Sequence, residues 1–287
     1  MKYIATKTTT LLDALQEMYP DSSKSTLRKM LKHHRVYVDG ISIIKSNHPV
    51  EIGQEVSDIP ITKTTFRGVE ILYEDRDIIV VNKPAKMLST PLDERDSSHL
   101  LGILREHFRT QNIFAVHRLD KEASGVMVFA RGKNAVKPLN VLFKKHDLTR
   151  EYIAIVQGTV KDDKGTWESN LIELENYNVR STYNDEEGKK AITHYSVFRR
   201  SAKFSFLKIT LETGRKHQIR VHCKEAGNPI VGDKRYGDKT CDPIKRMCLH
   251  ASTLAFVHPI KEKKMTFNAP IPQPFSKFGL VSRSTRP

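Results

Sequence analysis

The chain has 287 residues, 38% hydrophobic and 28% charged, which suits a soluble protein with one large domain and a small one. No apolar run approaches the roughly 20 residues that span a membrane, and Met1-Lys2-Tyr3-Ile4-Ala5-Thr6 lacks the apolar core of a secretion signal, so a cytoplasmic location is expected. Lys and Arg number 48 against 33 Asp and Glu, and a net charge of +15 calls for a polyanionic partner, nucleic acid first.

In chain order, Leu11, Leu12, Leu15, Met18 and Tyr19 fall on one helical face, and Pro20-Asp21 ends that helix. Ser22, Ser23 and Ser25 offer N-caps for a second helix, whose apolar stripe is Leu27, Met30, Leu31 and His34. The other face of that helix carries Lys24, Arg28, Lys29, Lys32 and Arg35, with no acid between residues 22 and 38. Val36-Tyr37-Val38, the turn signal Asp39-Gly40 and Ile41-Ser42-Ile43-Ile44 predict a hairpin. Residues 1–60 hold 8 basic and 7 acidic side chains, so the charge of this unit is focused on one helix. A solvated helix face and an RNA contact explain such a stripe equally well. The helix–turn–basic helix–hairpin pattern, closed by residues 50–56, resembles the ribosomal S-four-type RNA-binding domain. The resemblance implies that the five cations of the second helix meet structured RNA.

Residues 58–68 are predicted to be a linker, separating a small domain over 1–57 from a large one over 69–287. Strands are expected at 69–73, 78–81, 151–156, 167–174, 191–199 and 204–211, and helices from Ser97 or Ser98 to Phe108, over 134–145 and over 216–226 with Gly227 as its cap. The class is α+β, a large, mostly antiparallel mixed sheet with flanking helices, joined to the small N-terminal α/β unit. Cys223, Cys241 and Cys248 form no C-x-x-C pair, and the 12 histidines show no metal-ligand spacing, so neither a disulfide framework nor a metal site is expected.

Residues 116–126, Val-His-Arg-Leu-Asp-Lys-Glu-Ala-Ser-Gly-Val, set a cation and a carboxylate at a turn between apolar stretches. An isolated H-R-x-D is more often a structural ion pair than a catalytic site. A kinase loop fits badly, since Leu119 interrupts His-Arg-Asp and no phosphate-binding glycine loop exists. Three further segments join the block: Arg150–Val156 with Tyr152 at a strand start, Leu211–His222 with a glycine turn entering a basic helix, and Leu249-His250-Ala251 before Phe256-Val257-His258-Pro259.

These four segments, in this order, resemble the RluA-type pseudouridine synthases over about residues 69–272. The resemblance implies an isomerase that converts uridine to pseudouridine in structured RNA, ribosomal RNA before transfer RNA, as a monomer without cofactor or metal. By that likeness Asp120 begins cleavage of the glycosidic bond, as nucleophile or as base. Tyr152 packs on the uracil and helps remove the proton at its carbon 5. Arg220 pairs with Asp120, Arg118 fills the space left by the flipped base, and Ile219 packs under the site. His117 orients the loop, and Arg215 on the glycine turn joins the substrate contacts. Ala123 stands where the family has Thr, and Met87-Leu88-Ser89-Thr90-Pro91 replaces a glycine-rich stretch and is expected to touch substrate. The competing reading is a non-catalytic RNA-binding or ribosome assembly factor.

Overall fold

The computed structural model describes residues 2–32, 36–39, 41–58, 65–91, 98–182, 184, 186–238 and 241–279. His34, Arg35 and Gly40, named above, lie outside the described residues, as does Ser97. The chain forms two compact units, Met1–Thr64 and Thr65–Pro287.

In the first unit the Thr10 hydroxyl caps the helix Leu11–Met18 by accepting from the Asp13 N–H at 3.3 Å. Ser23 opens the helix Lys24–Lys32 by accepting from the Thr26 N–H at 3.2 Å. Leu11, Leu15 and Met18 pack with Leu27, Met30 and Leu31 over Val36, Val38, Val50 and Val56. Lys24, Arg28, Lys29 and Lys32 are exposed. The strands Lys2–Ile4, Glu55–Asp58, Val36–Val38 and Ile41–Ser42 form an antiparallel sheet in that order.

Among its described residues, the second unit is built on one sheet of twelve strands. From one edge the order is Val179–Thr182, Lys164–Glu173, Lys189–Arg200, Phe204–Leu211, Thr149–Gln157, Leu249–Val257, Ser124–Arg131, Ile78–Lys83, Val69–Glu74 and Thr65–Phe66. Thr65–Phe66, read as linker from sequence, pairs with Glu70 and Val69 and belongs to the sheet. Ile113–Ala115 adds to Ser124–Arg131, and Lys264–Asn268 to Leu249–Val257. Described neighbours run antiparallel except Ser124–Arg131 and Leu249–Val257, which meet in parallel through Ser124–His250 and Gly125–Ala251.

The central strands are buried on both faces, which explains their unbroken apolar runs. From Ser124–Arg131, Met127 and Phe129 face the helix Leu100–His107 with Leu100, Ile103 and Leu104. Val126, Val128 and Ala130 face the helix Lys133–Lys145 with Ala135 and Leu139. The helix Leu100–His107 is capped by His99, whose ring accepts from the Gly102 N–H at 3.0 Å, and so starts later than the serine signals predict. The helix expected from Lys216 runs Gln218–Glu225, because His217 takes a left-handed φ of 54°. One row of paired residues crosses seven strands: Lys83, Gly125, Ala251, Tyr152, Ile209, Tyr195 and Gly165. It sets Lys83 and Tyr152 on the same sheet face. Gly125 makes the row possible: at φ 122° a Cβ there would stand 2.1 Å from the Ala251 carbonyl oxygen.

Candidate active site

Asp120 lies on the loop that joins Ile113–Ala115 to Ser124–Arg131. Three anchors fix this loop. The Ser89 hydroxyl donates to the Leu119 carbonyl at 2.8 Å and accepts from the Leu119 N–H at 3.1 Å. The Lys83 Nζ donates to the Lys121 carbonyl at 3.2 Å. His117 Nε2 accepts from the Val128 N–H at 3.0 Å, while its ring stacks on Phe143 at 4.3 Å. Burial, with the Arg150 charge adding to it, pushes the His117 pKa down to about 3, so the ring is a neutral acceptor. The segment around Ser89 clasps the loop.

Opposite Asp120, the helix Gln218–Glu225 is pinned to the sheet. The Gln218 Nε2 donates to the Ile192 carbonyl and to the Thr193 hydroxyl, both at 2.9 Å, and its Oε1 accepts from the Thr213 hydroxyl at 2.8 Å. His222 bonds Thr193 at 2.9 Å and Ser169 at 3.0 Å. Arg220 is thereby held between two carboxylates. Its Nη1 donates to Asp120 Oδ2 at 3.0 Å, and its Nε and Nη2 grip Asp233 at 2.7 and 2.8 Å. Asp233 also accepts from the N–H groups of Arg235 and Tyr236, and the guanidinium lies 5.0 Å from the Tyr236 ring centroid.

Burial works against the Arg220 charge, but the bonds and charges of Asp233 and Asp120 raise its pKa above the ordinary value. The Asp233 pKa is lowered, since the Arg220 bond and charge outweigh burial. Side-chain exposure is 0% at Asp233, 7% at Arg220 and 24% at Asp120. Asp120 is the open end of a buried carboxylate–guanidinium–carboxylate chain.

Tyr152 is 9% exposed at the start of Thr149–Gln157, where a register shift between Glu151 and Tyr152 marks a bulge in the pairing with Leu249–Val257. Burial raises its phenol pKa; the Arg150 charge opposes this and the Asp120 charge adds to it. Ile219 is buried in the core beneath, and Arg118 is exposed on the loop. Arg215 is exposed, its Nε bonded to the Lys190 carbonyl at 2.9 Å.

Residues 77–225 match the RNA pseudouridylate synthase family. The chain belongs to that family. An RNA pseudouridine synthase of Aquifex aeolicus is 33% identical over 288 residues, covering 91% of this chain and 90% of that one. The ribosomal large subunit pseudouridine synthase D of Pasteurella multocida is 32% identical, covering 91% of this chain and 87% of the relative. The solved structure of human RNA pseudouridylate synthase domain containing 1 superposes with a TM-score of 0.62 at 26% identity, covering 75% of this chain and 87% of that one. Pseudouridine synthases isomerise uridine to pseudouridine in RNA, and the α+β fold with its large mixed sheet is theirs.

Within this pseudouridine synthase, sequence reasoning passes over Asp233 and Lys83. Asp233 follows the apolar pair Ile230-Val231 and a glycine, the same carboxylate-at-a-corner signal that singles out Asp120. Nothing in the sequence marks Lys83 as buried. Asp75, Asp77 and His258 bring potential metal-ligand atoms within 4.8 Å of one another. Those of Asp75 and His258 are committed to the protein. Asp75 accepts from His258 at 3.0 Å, from Lys261 at 2.6 Å, from Tyr73 at 2.8 Å and from two backbone N–H groups. The cluster staples the strand Val69–Glu74 to the turn after Leu249–Val257.

Proposed function

We propose that Asp120 is the catalytic aspartate and that the substrate is a uridine in ribosomal RNA of the large subunit. The observation that carries the site is the Asp120–Arg220–Asp233 chain. A carboxylate that meets solvent at one end and a buried, doubly paired guanidinium at the other is held in a fixed orientation. It acts on the flipped nucleotide as nucleophile at the sugar or as base on the ribose, and the glycosidic bond breaks. The detached uracil turns and bonds the sugar through its carbon 5, displacing Asp120 from the sugar on the nucleophilic course or recovering the ribose proton from it on the basic one. The proton lost from that carbon, with Tyr152 assisting, is balanced by one taken up at the freed nitrogen. The Tyr152 ring offers a flat face for the base, with Ile219 beneath it. Arg118 fills the vacated stack, Arg215 contacts the backbone and His117 keeps the loop in place.

Residues 1–57 serve as an S-four-type RNA-binding domain, using Lys24, Arg28, Lys29 and Lys32, with Arg35 as the fifth cation of the sequence stripe. The protein acts as a cytoplasmic monomer. The ribosomal target is supported by relatives whose names carry that activity. A transfer RNA target is the alternative that mapping of modified positions in deletion and wild-type cells decides. Tritium release from RNA labelled at uracil carbon 5 tests the chemistry: Asp120→Asn is expected to release none while retaining RNA affinity. Release at the wild-type rate would falsify the assignment, and no release from the wild type would favour a non-catalytic RNA-binding factor.

A further inference from the structure

Two arginines are buried beside the site, and their surroundings differ. Arg220 holds two carboxylates. Arg150, two residues before Tyr152 and 9% exposed, has none among the described residues. Its Nη2 donates to His146 Nδ1 at 3.2 Å and to the Glu212 carbonyl at 3.3 Å. Its Nε is buried with no hydrogen-bond partner. The Glu212 carboxylate is engaged with His194 at 2.5 Å and the Glu151 carboxylate with Lys208 at 2.7 Å, and the exposed Asp147 beside His146 makes no bond to Arg150.

A buried cation without a counter-ion is costly in a folded protein, and burial accordingly lowers the Arg150 pKa. Its Nη1 lies under Gly214, an exposed residue where a Cβ would stand 2.5 Å away. The missing side chain lets the exposed glycine turn lie directly against the guanidinium. A second cation bears on the place: burial first, then the charges of Arg150 and Arg215, lower the His146 pKa. His146 itself must accept on Nδ1, so it is neutral. Arg150 therefore has only neutral hydrogen-bond acceptors, the His146 ring and the Glu212 carbonyl, and Tyr152 feels both its charge and that of Asp120.

We propose that Arg150 binds a backbone phosphate of the RNA, at a linkage adjoining the reacting uridine, and so fixes the nucleotide between Tyr152 and Asp120. The inference rests on the pseudouridine synthase reading. A phosphodiester supplies the full negative charge that this site lacks, and a uracil carbonyl does not.

The test uses the full-length protein and a stem-loop RNA carrying the mapped uridine. Arg150→Met is expected to weaken binding at least tenfold at moderate salt, and to reduce the slope of log K against log salt by about 0.7, one phosphate contact on single-stranded RNA. Arg150→Lys should restore the slope. One methylphosphonate linkage next to the uridine should weaken the wild type equally and add nothing to Arg150→Met. Gly214→Ala should lower affinity in the wild type and have no effect beside Arg150→Met. An unchanged salt slope, or methylphosphonate and Arg150→Met defects that multiply at every linkage, overturns the proposal in favour of a structural arginine. Indifference of the wild type to the neutral linkage overturns it in favour of a contact to the base. Binding is read apart from turnover. A wild type that shows this binding pattern but releases no tritium would therefore sink the proposed chemistry and uphold the contact.

Discussion

Lys83 is a fully buried cation whose Nζ donates to the carbonyls of Pro84, Met87 and Lys121 at 2.9, 2.7 and 3.2 Å. Three acceptors match the three N–H groups of an ammonium. Burial nevertheless pushes its pKa down to about 7, with the Asp120 and Glu122 charges resisting. The unfolded chain then keeps this proton up to about pH 10 while the folded one gives it up above about 7, so its contribution to stability rises with pH between those limits. Compared with Lys83→Met, the wild type should gain about 2 kcal/mol between pH 7 and 9 in urea titrations. Asp233→Ala should cost about 3–5 kcal/mol in the same assay, because it leaves the Arg220 guanidinium buried with only Asp120 as partner. It should also lower the rate of tritium release, since Asp120 loses a fixed partner. The type and order of Asp120, Tyr152 and Arg220 are legible in the sequence. Asp233 and Lys83 are not, because their significance comes from partners that only the fold supplies.

At the scale of elements, the site depends on where strands meet. Gly125 lets the one parallel pair among the described strands close, and Gly125→Ala would drive a methyl group into the Ala251 backbone. A loss of more than about 4 kcal/mol is expected, the range of severe backbone conflicts, seen as a collapse of the melting temperature and of tritium release together. Phe204–Leu211, bounded by a serine-lysine turn and the Thr213-Gly214 turn, has the bounds the sequence predicts. Ser124–Arg131 gave no such signal: seven of its eight residues are buried, and a continuous apolar run has no period. The helix Gln218–Glu225 starts late because His217 is left-handed, and the Gln218 side chain then ties the helix start to Thr213, Ile192 and Thr193.

Over the whole molecule, charge and chemistry are divided between the units. Residues 1–60 carry a net charge of +1, yet they place Lys24, Arg28, Lys29 and Lys32 on one exposed helix. Changing these four to Gln should reduce the salt slope of RNA binding by about 0.7 for each phosphate that is no longer neutralised, measured by titration, and leave the rate of saturated enzyme unchanged. The strand Leu249–Val257 lies between Ser124–Arg131 and Thr149–Gln157, which precede it by about a hundred residues or more. Pairings so distant in sequence form slowly and late. While the chain is still emerging from the ribosome, the strand that joins the Asp120 half of the sheet to the Tyr152 half has yet to be made. On the proposed roles, catalytic competence waits for this strand, and a nascent chain that already exposes its cationic helix is expected to bind RNA without altering it.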